Sequence, residues 1–583
     1  MAKLFSALII LNLIVSACSK TSNKQFEYSG GTITMALDNQ PSTYIARDVS
    51  DYYSATVLNQ ICEGLVGIDP KTTKILPKIA SEWKRGNDGK SYTFTIRDDV
   101  FFHEHAVFES KEERKLTPED VVKTFELGCT LNSDGIAPSL FSMVCKDLIK
   151  GANEFMSKSA NSISGIVVKD NKVTFELVYE DHNFLYKLAN VNADIVSKKI
   201  VESGYETDVI GTGPFVYNKF KDGEIPKLIL TKNQDYYIQD EEGNALPYMD
   251  SVVFLFQSRK LAQLDLFEEG QTDFIIGLPT SRITRMLEGR IEDFNSKPPK
   301  LVLANNALLE SNFYFFNMLD ERFKDPRVRM AFNYAIDKEV IGREILRNQY
   351  YDLGDYGITP PVGRALKGYD FKSIKKQGYS FNPEKAKKLL AEAGYPGGKG
   401  FGSVQLRFNI NDTHSAVADE FSKQIFQVLG INVNIDGSTF EQLIQDQQNG
   451  NGDIFRLGWS ADYPSPESFL ANFYGKSIPD DINAPSMVNK GRYKNLLFDQ
   501  FFEKAIDAQK ISDQMLYFAK AEAELLKNPA IVPLWYTGDI EISNSYVRNL
   551  HFNALNYIDF TRVYLKEWTE DEYQAKLQEN KNN

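Results

Sequence analysis

Strand-like and helix-like segments alternate along this chain from residue 31 onward, and that alternation limits the fold more than any other feature. Residues 31–37 alternate in polarity, as do 92–96 after the turn signal Asn87-Asp88-Gly89. Stretches 173–178, 227–231, 404–410 and 431–435 read as further strands. Helix starts lie between them. Thr117-Pro118-Glu119-Asp120 supplies a cap, a proline at the first helical position and acids in the first turn. Asp325-Pro326-Arg327 opens a helix expected to run to about Leu346. Asn382-Pro383-Glu384 opens another, which Gly394 ends. Residues 416–429 form an amphipathic helix stopped by Gly430. No internal repeat interrupts the series, so the expected class is α/β. The charged stretch 567–583 reads as a surface helix or frayed tail.

The chain has 583 residues, too many for one simple core, so two or three lobes are expected. Its net charge of −13 argues against a nucleic-acid partner, since phosphate binding needs a basic surface. It also argues against a broad electrostatic hold on anionic lipid. The N-terminus carries its own message. Lys3 precedes an apolar run from Leu4 to Val15, broken only by Ser6 and Asn12. That run fits a secretory signal and is too short to span a bilayer stably. Val15-Ser16-Ala17-Cys18 resembles the lipobox of bacterial lipoproteins. The resemblance implies that segment 1–17 is removed and that Cys18 carries acyl chains outside the cytoplasm. An ordinary cleaved signal with a chance cysteine is the plainer reading. Residues 18–30 then form a polar tether. Of the remaining cysteines, Cys129 and Cys145 suit either one disulfide or, with Cys62, three buried free thiols.

Signatures of catalysis are missing. The sequence contains no G-x-S-x-G, no phosphate loop, no dinucleotide fingerprint and no H-E-x-x-H. His103-Glu104-His105 would put two imidazoles on one face of a strand, but no third ligand accompanies them, and a polar loop is the plainer reading. Five histidines give general acid–base chemistry little material. No enzyme, cofactor or metal is expected.

The stretch Asp453-Ile-Phe-Arg-Leu-Gly-Trp-Ser-Ala-Asp462-Tyr-Pro464 is unusual. An apolar strand ends in a lone acid bracketed by Trp459 and Tyr463. Two readings stand: a carboxylate that holds a cation in a desolvated cleft, or a turn-forming Asp before the loop Tyr463-Pro464-Ser465-Pro466.

Residues 458–463 resemble the gly-trp-x-ala-asp-tyr pattern of the family 5 extracellular solute-binding proteins, which feed peptide ABC importers. Six further segments match that family in order: Glu63-Gly64-Leu65; 77–83 (Pro-Lys-Ile-Ala-Ser-Glu-Trp); 91–100 followed by Phe102-His103; 116–121; Gly211-Thr212-Gly213-Pro214-Phe215; and 325–343. The resemblance implies a periplasmic-binding-protein-like fold of two hinged α/β lobes plus a third, with the ligand enclosed between lobes. Lobe I would comprise 31–63, 191–309 and 531–566, lobe II 64–190 and lobe III 310–530. A monomer is expected, with short peptides and ABC permease subunits as partners.

The resemblance also implies roles for particular residues. Asp462 would pair with a ligand α-ammonium, and the backbone of Gly458 and Ser460 would bond to a peptide main chain as an added strand. Trp459 and Tyr463 would flank them. Asp51-Tyr52-Tyr53 would supply a second backbone edge. Arg456 and His414 would meet the ligand carboxylate, though Arg456 equally suits a structural ion pair and His414 a plain surface position. A third basic position is Gln447 here. The family's leu-asp-pro near the N-terminus is replaced by Ser42-Thr43-Tyr44. A cysteine pair beside the site in one relative falls at Glu310 and Ser460, so that bridge cannot form, and Glu310 adds a negative charge suited to a second ligand cation. The same fold binding a nickel chelate, haem or an oligosaccharide, or acting as a peptide sensor, remains an alternative.

Overall fold

The computed structural model describes residues 26–132, 135–279 and 282–582. The signal segment, Cys18 and the tether through residue 25 lie outside the described residues. Among the described residues no helix is long and apolar enough to cross a membrane.

Among the described residues, the segments expected to form lobes I and II each centre on one large buried cluster, and the segment expected to form lobe III centres on two. In lobe I, Thr32–Leu37 runs parallel to Ser251–Phe256, which continues antiparallel to Lys227–Lys232 and then Phe215–Lys221. Ile33, Phe215 and Phe254 fill its interior. Lobe II is an antiparallel sheet in the order Ala80–Arg85, Ser91–Ile96, Lys172–Glu176, Ile166–Lys169. The helix Pro118–Gly128 covers it, started by a capping box between Thr117 and Asp120. Phe94, Phe125 and Phe175 meet beneath that helix.

Lobe III is built on a seven-stranded sheet with a core on each face. Successive side chains of a strand point to opposite faces. Phe313 and Phe315 therefore enter one core while Tyr314 and Phe316 enter the other.

Two strands connect this sheet to lobe I. Leu301–Phe316 and Ile531–Asn544 are paired antiparallel over almost their whole length. Ser311–Phe315 pairs with Ile531–Tyr536 inside lobe III, whereas Leu301–Ala307 pairs with Gly538–Asn544 next to Phe274–Ile276. Phe274 belongs to the lobe I core. The expected lobe limits near 309 and 531 thus fall on these two strands. Between the two halves the register shifts, from Ala307 opposite Gly538 to Ser311 opposite Tyr536. Such bulges bend and twist a ribbon and re-aim its side chains.

The expected helix from 325 to about 346 is a correction. It ends at Ala335, and Asp337 caps a separate short helix by accepting from the N–H groups of Glu339 and Val340. The buried Lys338 fixes the break: its ammonium donates to the carbonyls of Gly354 and Tyr379 and pairs with Asp355. The helix expected at 416 begins earlier, at Asp412, because Asn411 caps it through the His414 N–H. The tail forms a helix, Glu570–Asn582.

Candidate functional site

The strand Ile454–Ser460 has one satisfied edge and one open edge. Along the first it pairs with Leu301–Phe316, placing Glu310 opposite Ser460, Asn312 opposite Gly458 and Tyr314 opposite Arg456. Along the second, the parallel strand Val404–Asn409 reaches only Ile454 and Phe455. Antiparallel hydrogen bonds alternate along a strand. The Ala461 N–H donates to the Leu309 carbonyl at 2.8 Å, which sets the phase. Leu457 and Trp459 bond across to the neighbouring strand, and Gly458 and Ser460 turn their N–H and C=O groups toward the open edge. The Arg456 carbonyl, of the same set, accepts from Gln447 Nε2 at 2.7 Å.

Asp462 follows the end of this edge. Its own N–H donates to Ser468 Oγ at 3.0 Å, and that hydroxyl lies 3.4 Å from Asp462 Oδ2. Trp459 Nε1 donates to the Ser468 carbonyl at 2.7 Å, so the two aromatic-flanked turns are tied together. No cation lies within ion-pair distance of Asp462 among the described residues. Asp462 is solvent-exposed as a residue, and the protein mass around its carboxyl pushes it up to about 6 by desolvation, against weaker pulls from Ser468 and Lys187.

At the other end of the edge, Arg456 donates to Asn312 Oδ1 at 2.7 Å and to Asn409 Oδ1 at 3.3 Å, and its Nε has no partner. Burial lowers its pKa, although the charge of Glu310 opposes this. His414 lies beside it, with Nδ1 3.1 Å from the Asn409 carbonyl. Burial, helped by the Arg456 charge, pulls His414 down to about 3, so it is neutral. Among the described residues the open edge therefore runs from a cation without a carboxylate partner to a carboxylate without a cation partner.

A profile of the bacterial extracellular solute-binding proteins, family 5, matches residues 74–481. The chain belongs to this family. Its members bind solutes for transport and are not enzymes. The chain is 25% identical over 497 residues to the periplasmic oligopeptide-binding protein OppA of Salmonella typhimurium, covering 82% of this chain and 84% of that one. It is 24% identical over 533 residues to heme-binding protein A of Haemophilus influenzae, covering 88% and 87%. The periplasmic binding protein DppA of Helicobacter pylori, solved with the peptide STSA, superposes with a TM-score of 0.75 at 24% identity, covering 93% of this chain and 99% of that one.

Several family motifs meet physically. Glu63 of the glu-gly-leu element accepts from Lys78 at 3.0 Å, from Tyr236 at 2.7 Å and from Thr212 of the gly-thr-gly turn at 3.4 Å. His103 accepts the Gly211 N–H at Nδ1 and donates from Nε2 to the Gly213 carbonyl at 3.0 Å. It is a buried clamp on that turn, and burial holds it near 4. His105 instead meets Asp208 at 3.0 Å. The described residues contain no group of three metal-ligating side chains.

The open edge has a second wall. At the bulge, Glu310 accepts from Ser460 Oγ at 2.9 Å and from Thr537 Oγ1 at 2.7 Å. Asp539 follows on the partner strand, pushed up to about 6 by burial and by the Glu310 charge. Tyr52 of lobe I lies within the field of Asp539 and stacks edge-on with Tyr53, ring centres 5.6 Å apart.

Residues 51–53 do not form a second extended edge. Asp51 caps the helix Tyr52–Leu58, accepting from the Ser54 N–H and from the Ser42 and Ser54 hydroxyls. These bonds occupy its carboxylate and hold its pKa below the ordinary value despite partial burial. The two tyrosines present side chains. Gln447 is fully buried and serves the strand backbone. Cys129 and Cys145 are buried free thiols, and Cys62 is free and half-buried.

Sequence reasoning passed over Asp539. Its signal was present: Asp539 and Glu541 share a face of a strand that opens on the apolar and aromatic run Ile531–Tyr536. Lys187, whose charge acts on Asp462, and the Asp181 and Glu467 that share its ammonium carry no local signal.

Proposed function

We propose that this chain is the peptide-binding subunit of an ABC importer, held by lipid on Cys18 at an extracytoplasmic membrane surface, and that it delivers short peptides to a permease. The observation that carries the reading is the open edge at Gly458 and Ser460, where, among the described residues, Arg456 at one end has no carboxylate partner and Asp462 at the other has no cation partner. A peptide main chain bonds to such an edge whatever its side chains. Its α-ammonium meets Asp462 and its carboxylate meets Arg456, so each charge that burial penalises gains a partner. Glu310, Asp539, Tyr52 and Tyr53 then face ligand side chains. Relatives named for oligopeptides support the reading. Haem and oligosaccharides lack the ammonium that Asp462 calls for.

Native mass spectrometry of the protein purified without its lipid anchor, before any unfolding step, tests this. A ladder of adducts at peptide masses is the expected result. A single non-peptide adduct would overturn the peptide assignment.

A further inference from the structure

Among the described residues, lobe II meets lobe III at the short segment 181–187. His182 Nε2 lies 2.6 Å from the Ala508 carbonyl, and Asn183 Nδ2 donates to Glu467 Oε2 at 2.7 Å. The Lys187 ammonium sits 5.7 Å from the centre of the Tyr463 ring and pairs with Asp181 at 2.6 Å. Beside these contacts the lobes stand apart around a cavity of about 510 Å³, lined by Asp181 and His182 on one side and Glu467, Tyr474 and Glu503 on the other. On this side of the molecule the contacts of segment 181–187 hold the lobes together.

The charges in this group do not balance. Asp181 belongs to lobe II, while Asp462 and Glu467 belong to lobe III. Lys187 is the cation that acts on all three. His182 stands 3.8 Å from Glu180, which Arg85 already pairs. Across the lobe boundary the charge of Asp181 acts against that of Glu467, and a single ammonium shared with Asp462 offsets only part of the repulsion.

We propose that segment 181–187 is a clasp that reads ligand charge: an ammonium held at Asp462 supplies the positive charge the group lacks, and so favours closure of lobe II onto Glu467 and Tyr463. Lys187 and Glu467 act as positioning residues. This rests on the peptide reading and adds a consequence to it. A ligand without an ammonium can occupy the open edge, yet leaves the lobes open.

The test uses the mature chain with a donor dye on lobe II and an acceptor on lobe III. Short peptides and their N-acetylated counterparts are compared at saturation, with binding read independently by calorimetry. The expected closed-to-open ratio is roughly tenfold lower with the acetylated ligand. Glu467→Gln keeps an acceptor for Asn183 and removes one negative charge, so it raises the closed fraction of the empty protein and reduces the difference between the two ligands. Equal closure by both ligands, each shown to bind, would overturn the clasp alone. Absence of peptide binding to the unaltered protein would overturn the reading beneath it.

Discussion

Glu310 and Ser460 face each other across two antiparallel strands, with Ser460 Oγ donating to Glu310 Oε2 at 2.9 Å. The contact fixes a carboxylate beside the open edge at Gly458 and Ser460, where the strand pair bulges on its way from lobe III to lobe I. Asp539 stands on the same side, and no salt bridge neutralises either acid among the described residues. A basic side chain on a bound peptide gains from both. Glu310→Gln keeps the Ser460 and Thr537 contacts and removes the charge. It is expected to weaken lysine-containing peptides by about 1 kcal/mol, roughly fivefold, and to leave neutral peptides unchanged. Calorimetric titration of matched peptide pairs checks this, and unchanged affinity for lysine peptides would refute it.

Asp462 is the strongest single determinant in this arrangement. Asp462→Asn preserves the shape and the Ser468 contact and removes the partner of the ligand ammonium. Breaking one half of an enclosed charge pair costs about 2–5 kcal/mol. Affinity is therefore expected to fall at least tenfold while circular dichroism stays unchanged. An asparagine variant that binds as tightly as the parent would remove Asp462 from the site.

Arg456 offers a separable test, because its guanidinium is buried without a carboxylate partner. Arg456→Met is expected to cost about 2 kcal/mol of affinity for peptides with a free C-terminus and little for amidated peptides. It removes a desolvated charge together with the donors to Asn312 and Asn409, so the melting temperature of the empty protein should change little. Equal losses for both peptide classes would assign Arg456 a purely structural role.

Much of this site was legible in the residue order. The motif 458–463 sits where an apolar strand ends, and the acid two residues past Ser460 lands at the end of the open edge. Glu310 and Ser460 are direct cross-strand partners, as the family pattern implies. The segment 51–53 misled, because Asp51 is an N-cap and an N-cap is a local feature that the family pattern does not reveal. The break at Ala335 depends on Lys338 finding two carbonyls from distant loops, and the clasp depends on Lys187 reaching Tyr463 across a lobe boundary. Those contacts arise from tertiary packing and leave no periodicity to read.

The anchor is tested apart from the site. Cys18→Ser is expected to move the protein from the membrane fraction to the soluble fraction, since acyl chains are the only membrane attachment the reading invokes. Fractionation with immunoblotting measures this directly. Retention in the membrane pellet after the change would place the attachment elsewhere.

The pH dependence follows from Asp462, whose carboxyl lies near 6 in the folded protein against an ordinary value of 3.8. Above pH 6 the group is ionised whether the chain is folded or not. As pH falls from 6 toward 4 the folded state takes up a proton that the unfolded chain does not yet bind, so the stability of the empty protein rises across that window. Ligand binding moves the other way. The ammonium requires the carboxylate, so affinity falls by up to about tenfold per unit below pH 6. The melting-temperature gain on adding peptide should therefore shrink between pH 7 and pH 4, while the contribution of Asp462 to the empty protein grows. Asp462→Asn removes this site's share of both trends, and subtracting its profile cancels the other titrating groups. A peptide-induced gain that stays constant over this range in the unaltered protein would show that Asp462 does not hold the ligand charge.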